Sequence, residues 1–165
     1  MDIIEQAYQS AKKRGFHERV YSDEHYITLI ISELTEAVEA DRKGKRANVI
    51  SFENHRELME FKERYEAFIK DSVEDELADA CIRIYDFAGA TGKRATLHRK
   101  EIDAYKTLPE HIYDVIKTLM ASGSLSEAIS RIHEISKLMG IDFYYFIYKK
   151  MEYNETREYK HGKRY

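Results

Sequence analysis

The sequence contains few of the residues that interrupt or crosslink a chain. Its 165 residues include one proline, seven glycines, one cysteine and no tryptophan. So few turn-forming residues argue against a many-stranded sheet. A single cysteine allows neither an intrachain disulfide nor a cysteine-rich zinc site. We therefore expect a single all-α domain over residues 1–165, with enough length for a real core.

Long apolar runs and an excess of basic residues are also absent. No apolar stretch approaches the length of a membrane span, and the N-terminus is amphipathic rather than a signal peptide. Lysine and arginine number 27 against 30 aspartates and glutamates, a net charge of −3. This balance argues against a protein that coats nucleic acid. We expect a cytoplasmic protein that contacts neither a membrane nor nucleic acid.

Apolar residues recur at helical spacing along most of the chain. This spacing predicts an antiparallel bundle of four or more helices, at about 2–14, 23–42, 52–69, 72–88, 109–121, 125–139 and 143–160. Residues 91–107 fit either a loop or a short helix. The predicted N-caps are Ser22, Ser72, Ser124 and Asp142, and the predicted stops include Gly15, Gly44, Gly89 and Gly140. Residues expected in the core include Cys81, Tyr144, Tyr148 and Tyr153.

One helical stretch, 74–86, is unusually acidic and reads EDELADACIRIYD. It places four carboxylates on one arc of a helix whose other side is apolar: Asp75, Glu76, Asp79 and Asp86. Carboxylates crowded on one face repel one another, and helix formation does not require them. The simplest function for such a face is to hold a divalent cation.

An earlier helix carries a second carboxylate pair at the same spacing. Glu33 and Glu36 are three residues apart, as are Glu76 and Asp79, so each pair shares a helix face. Solvated surfaces show the same pattern, but the apolar surroundings of Glu33 favour a partly enclosed cleft. Four hard oxygen ligands from facing helices would suit Mg²⁺, with Mn²⁺ as an alternative.

The C-terminal helix carries a basic constellation. Lys150, Asn154 and Arg157 follow one another at helical spacing, and Lys160 comes soon after. Two cations and an amide donor are suited to binding phosphate oxygens. The same residue pattern is also typical of an exposed helix end whose basic side chains complement the helix dipole.

Two residues are candidate substrate contacts. His25 lies on the same side of its helix as Glu36, and Arg83 lies one helical turn beyond Asp79. The same sequence positions are also typical of ordinary surface residues, with His25 as a solvated histidine and Arg83 as a member of an ion pair.

Together these motifs resemble a known family. The segments SELTEAVEA and EDELADACIRIYDFAG, with the ending KMEYNETREYKHGKRY, resemble the MazG-like all-α nucleoside triphosphate pyrophosphohydrolases. The resemblance covers less than half of the chain. It implies a four-helix MazG-type core in a homodimer or homotetramer, with a helical insertion at about 44–71.

The resemblance also implies residue roles and a reaction. The Mg²⁺ ligands would be Glu33, Glu36, Glu76 and Asp79. The triphosphate would be bound by Lys150, Asn154 and Arg157, and Lys160 of the same basic constellation is a further candidate for phosphate binding. A nucleoside triphosphate would be hydrolysed to the monophosphate and pyrophosphate, with Glu33 or Glu36 as the catalytic base.

The family motif often begins with two adjacent glutamates, and here Ser32 stands in the first position. The sequence names neither the base nor the sugar of the substrate. The main alternative is a non-catalytic helical module that mediates oligomerisation or binds a nucleotide for regulation. In such a module the acidic faces would be solvated, and calorimetry with Mg²⁺ would separate the two hypotheses.

Overall fold

The computed structural model describes residues 2–159, and this part of the chain is helical without any strand. The predicted all-α class is therefore confirmed. The eight helices described are α1 (Ile3–Lys13), α2 (Asp23–Arg42), α3 (Val49–Asn54), α4 (Phe61–Phe68), α5 (Val73–Thr91), α6 (Leu108–Ser122), α7 (Leu125–Leu138) and α8 (Phe143–Glu155). Residues 92–107 form an irregular connection between α5 and α6.

Helix α5 is the centre of the fold. It contacts α1, α2, α7 and α8, while α6 packs on α2 and α7, and α4 packs on α8. All residues from 72 to 78 are buried, and Cys81 is buried as predicted. Because α5 is surrounded on nearly every side, its acidic side chains must find partners inside the protein.

The predicted helix starts are confirmed at the level of single hydrogen bonds. The side chains of Ser22, Ser72, Ser124 and Asp142 each accept a hydrogen bond from the backbone N–H three residues later. Pro109 lies in the first turn of α6, as predicted, behind a capping box formed by Thr107 and Glu110. Each of these capping signals lies within a few residues, so these helix starts could be predicted from the sequence without knowledge of the tertiary fold.

The single helix predicted over 52–69 is wrong, because the structure divides it into α3 and α4. A capping box between Glu60 and Glu63 begins α4. The guanidinium of Arg64 then donates to the carbonyl oxygens of Phe52, at 2.7 Å, and Met59, at 3.2 Å. These bonds satisfy carbonyl groups at the break and hold the two helices together.

The predicted end of α5 at Gly89 is also wrong. The helix continues to Thr91 and ends at Gly92, whose φ of 70° is left-handed. Gly89 instead allows α1 to approach closely. A Cβ atom at this position would lie 2.5 Å from the Cβ of Tyr8.

Replacing Gly89 with alanine should therefore destabilise the protein by about 1–3 kcal/mol, because α1 must move away from α5. At a helical glycine without such a contact, the same change would stabilise the protein by about 0.5–1 kcal/mol. Urea unfolding of the two proteins measures the sign directly. A more stable Gly89→Ala variant would contradict the close approach.

Of the three tyrosines of α8 predicted for the core, the structure buries only Tyr153. Tyr144 and Tyr148 are 44% and 48% exposed, because α8 turns Phe146, Ile147 and Lys150 inward instead. Among the helices described, none combines the length and the apolar character that crossing a membrane requires.

Candidate metal centre and adjoining pocket

Three carboxylates from two helices meet where α2 packs on α5. Glu33 and Glu36 project from α2, and Glu76 projects from the first turn of α5. One carboxylate oxygen from each lies within 4.8 Å of the others. Glu33 and Glu76 are buried, whereas Glu36 is exposed and opens the group to solvent. This carboxylate cluster contains three of the four predicted ligands and could hold a metal ion.

The electrostatics of the cluster favour a cation. Burial, followed by the negative charges of Asp75, Asp79 and Glu36, raises the pKa of Glu76 to about 8, although the charge of Lys150 opposes this. A bound cation would relieve the same repulsion. The donors are all carboxylate oxygens, which suit hard divalent cations. The residues present therefore fit the ion that the sequence predicts.

Ser32 lies four residues before Glu36 on α2. Its hydroxyl donates to Oε1 of Glu36 at 3.3 Å. This neutral donor orients Glu36 without adding charge to the cluster.

Asp79, the fourth predicted ligand, lies outside the carboxylate cluster. Its Oδ2 is 2.8 Å from Nζ of Lys150, which also donates to Oδ1 of Asp75 at 2.8 Å. Lys150 is only 4% exposed. Burial disfavours its charge, but Asp79 and Asp75 outweigh that effect and raise the pKa of Lys150. The lysine predicted to bind phosphate thus lies between two carboxylates of α5.

A second group of carboxylate oxygens within 4.8 Å of one another comes from Asp71, Asp75 and Glu76. The oxygens of Asp75 already accept three hydrogen bonds, from the Tyr65 hydroxyl, the Lys150 ammonium and the backbone N–H of Asp71. This group is therefore less suited to a metal ion than the carboxylate cluster.

Tyr65 is a site residue that the sequence did not predict. It comes from α4, inside the segment expected to be an insertion, and its ring stacks on Tyr153 with 4.4 Å between centroids. Its hydroxyl is the donor to Asp75. Nothing in the local spacing reveals this contact, because it depends on how α4 packs against α8.

An open groove adjoins the cluster on one side. Its walls include Glu36, Glu76, Lys43 and Lys45. Lys43 pairs with Glu39 at 3.2 Å, and Lys45 pairs with Asp71 at 3.4 Å. These lysines follow directly after the helix that carries Glu36, and no spacing motif in the sequence marks them as site residues. They place positive charge beside the carboxylates.

A second pocket lies between α1, α5 and α8. Asp79, Arg83, Asn154 and Arg157 all line it. Nε of Arg83 donates to Oε1 of Glu33 at 3.0 Å, so one guanidinium links the pocket to the cluster. The predicted substrate contact at Arg83 and two of the predicted phosphate ligands therefore share this pocket.

Two buried polar atoms lining this pocket lack a hydrogen-bond partner in the described part of the chain. They are Oδ1 of Asn154, a residue 8% exposed, and Nε of Arg14. The other nitrogens of Arg14 donate to the backbone carbonyls of Glu155 and Arg157, which fixes the end of α8. Unpaired buried polar atoms are unfavourable unless something else pairs with them.

A smaller cavity continues from this pocket and shares Phe16, Arg83 and Asp86 with it. His25 lines this cavity and stacks on Tyr21 with 4.1 Å between ring centroids. Burial and the charges of Arg19 and Arg83 lower the pKa of His25. Its predicted contact with substrate remains a prediction. Lys160 lies outside the described residues.

The titration of Glu76 gives a testable dependence on pH. Between its ordinary pKa of 4.5 and about 8, the folded protein holds a proton that the unfolded chain has lost. The contribution of Glu76 to stability must therefore fall as the pH rises through this window. Over pH 5 to pH 8 this loss amounts to about 3–4 kcal/mol, so without metal Glu76→Gln should gain about 7–14 °C in Tm relative to the wild type. Thermal unfolding in EDTA measures this difference, and a gap independent of pH would contradict it.

Comparison with known proteins identifies no relative. No protein-family model, curated protein or solved structure matches this chain.

Proposed function

We propose that this protein is a Mg²⁺-dependent nucleoside triphosphate pyrophosphohydrolase, which converts a (d)NTP to the (d)NMP and pyrophosphate. The observation that carries the proposal is the carboxylate cluster of Glu33, Glu36 and Glu76, which borders a lysine-lined groove and is linked through Arg83 to a pocket lined by arginines. A triphosphate needs both a metal ion and cations. The sequence resemblance to MazG-like enzymes, including the spacing of both acidic pairs, supports the same reaction.

Glu33, Glu36 and Glu76 would hold the Mg²⁺ ion, and Asp79 borders them. Mn²⁺ would suit the same oxygen donors. When bound, the ion lowers the pKa of a coordinated water and offsets the charge of the phosphates. Arg83 fixes Glu33 by its hydrogen bond, so this ligand is oriented before substrate arrives.

Glu36 is the carboxylate best placed to accept a proton. It is exposed, and its hydrogen-bond donor is the neutral Ser32, whereas Glu33 is buried against Arg83. In the proposed step the oxygen of water forms a bond to the α-phosphorus. The bond from that phosphorus to the α–β bridging oxygen breaks, and pyrophosphate leaves with the electron pair. The proton of water passes to Glu36 and then to solvent.

The cations beside the cluster are proposed to bind the phosphates. Arg157 and Asn154 face the pocket, and Lys43 and Lys45 face the groove. Lys150 is held between Asp75 and Asp79, so we assign it to positioning these carboxylates rather than to binding phosphate directly.

The proposal includes a cytoplasmic homodimer or homotetramer, as the resemblance implies. Tyr144 and Tyr148 lie side by side on the exposed face of α8, with 6.5 Å between ring centroids. They offer an apolar surface for contact between subunits. Light scattering of the purified protein tests the oligomeric state, and a monomer would contradict this part of the proposal.

A panel of ribonucleoside and deoxyribonucleoside triphosphates tests the reaction. With Mg²⁺ we expect at least one substrate to give monophosphate and pyrophosphate in equal amounts, and EDTA should stop the reaction. Orthophosphate as the sole product would contradict cleavage between the α- and β-phosphates. Binding of Mg²⁺ and nucleotide without turnover of any substrate would favour the non-catalytic regulatory module.

A further inference from the structure

We propose that the pocket beside the carboxylate cluster selects nucleotides whose base carries an exocyclic amino group, and that Asp86 recognises this group. The bases in question are cytosine, adenine and guanine. This inference rests on the proposed function, because the base must lie against Asp86, where the pocket continues into the smaller cavity, while the phosphates lie at the cluster and against Arg157 and Asn154. It adds the class of base and the residue that reads it.

Asp86 presents a buried hydrogen-bond acceptor to the pocket in which a ligand would bind. It lies seven residues after Asp79 on α5, is 7% exposed, and lines both the pocket and the cavity that continues from it. Its Oδ1 is 2.6 Å from Nε2 of His17, the one hydrogen-bond partner that the described residues give it. The second oxygen, Oδ2, is left to accept a hydrogen bond from a ligand.

His17 holds Asp86 in this orientation. Nδ1 of His17 lies 3.3 Å from the hydroxyl of Tyr26, and the ring of Tyr8 packs edge-on against the imidazole with 4.9 Å between centroids. With Tyr26 donating to Nδ1, the Nε2 atom carries the proton and donates to Asp86. The carboxylate is thereby fixed as an acceptor before any ligand binds.

The rest of the pocket suits a flat heterocycle. Phe16, Ile82 and Met151 supply apolar surface for the faces of a ring. Arg14, with its unpaired and buried Nε, supplies a polar atom for the edge of a ring. Ligand sites commonly combine mostly apolar walls with a few placed polar groups.

The carboxylate of Asp86 is the group that discriminates between the bases. An exocyclic amino group donates hydrogen bonds to an acceptor that has no hydrogen of its own. A carbonyl oxygen in the same position, as in uracil or hypoxanthine, turns lone pairs toward Asp86 and leaves its oxygen unpaired. Sites built around such a hydrogen bond reject the mismatched analogue strongly.

Two matched substrate pairs test this inference in the wild-type protein. Cytosine and uracil differ by one amino group, as do adenine and hypoxanthine. We expect kcat/KM for dCTP to exceed that for dUTP by about tenfold or more, and likewise for dATP over dITP. Equal or reversed ratios would overturn the inference while leaving the pyrophosphohydrolase intact. No turnover of any nucleotide would overturn both.

Substitutions then test the assignment to Asp86. Asp86→Asn should reduce the dCTP to dUTP ratio to near one, Asp86→Glu should keep part of it, and the surface change Asp114→Asn in α6 should leave it unchanged. An Asp86→Asn protein that keeps the wild-type ratio would overturn the role of Asp86.

Binding in EDTA gives a readout that needs neither turnover nor a variant. Calorimetry should show tighter binding of dCMP than of dUMP to the wild type, so a variant that fails to fold does not remove the test. Equal affinity for the two monophosphates would overturn the inference.

Discussion

Replacing Glu36 with glutamine is expected to lower kcat/KM for Mg²⁺-dependent pyrophosphate release by at least about a hundredfold, because one ligand and the proposed base are lost together. The substitution removes a charge without removing volume. Since Glu36 is exposed, its neutralisation should leave the fold intact. The affinity for Mg²⁺ in calorimetry should fall with the activity. A Glu36→Gln variant with full Mg²⁺-dependent activity would remove the basis of the proposed mechanism.

Glu39 offers a matched control on the same helix. It is exposed and pairs with Arg42 and Lys43, but it does not belong to the carboxylate cluster. The Glu39→Gln variant should keep kcat/KM within about a factor of three, because exposed ion pairs contribute little. Equal losses in both variants would mean that general surface charge, rather than the cluster, governs the activity.

Replacing Lys150 with methionine is expected to destabilise the protein by about 3–5 kcal/mol, because two carboxylates lose the cation between them. The side chain of Asp75 is wholly buried and that of Asp79 is 19% exposed, so water cannot fully replace the lysine. Urea unfolding at neutral pH measures the loss. The wild type and the variant should converge at low pH, where both carboxylates become protonated.

Lys137 provides the comparison for this change. Its exposed side chain pairs with the partly buried Glu134 within α7, and Lys137→Met should alter stability by less than about 1 kcal/mol. If Lys150→Met were as stable as Lys137→Met but inactive, the lysine would act on the substrate directly, as the sequence resemblance implies.

Helix starts were predictable because their signals lie within four residues of one another. Ser22, Ser72, Ser124 and Asp142 each cap a helix with an atom of their own side chain. The break between α3 and α4 was missed, although the Glu60–Glu63 capping box that begins α4 is also a local signal. Apolar residues keep the same spacing across it, and the bond from Arg64 back to Phe52 forms only once the two helices have folded together.

The candidate site likewise combines residues that local spacing predicts with contacts that depend on tertiary packing. Glu33, Glu36 and Glu76 were found because their spacing fixes the face on which they lie, and α2 packs beside α5. The ion pair of Asp79 could not be predicted from the sequence, because its partner Lys150 comes from α8 and reaches Asp79 only in the folded protein. The same holds for Tyr65 and Asp75, and for His17 and Asp86, which pair across separate elements. The sequence shows which residues carry charge, but packing decides which of them neutralise one another.

The central claim is that water attacks the α-phosphorus of a nucleoside triphosphate at the carboxylate cluster. Hydrolysis in water labelled with heavy oxygen, followed by mass spectrometry of both products, tests it directly. We predict that the label appears in the nucleoside monophosphate and that pyrophosphate carries none. Label in pyrophosphate, release of orthophosphate, or turnover that persists in EDTA would contradict the claim.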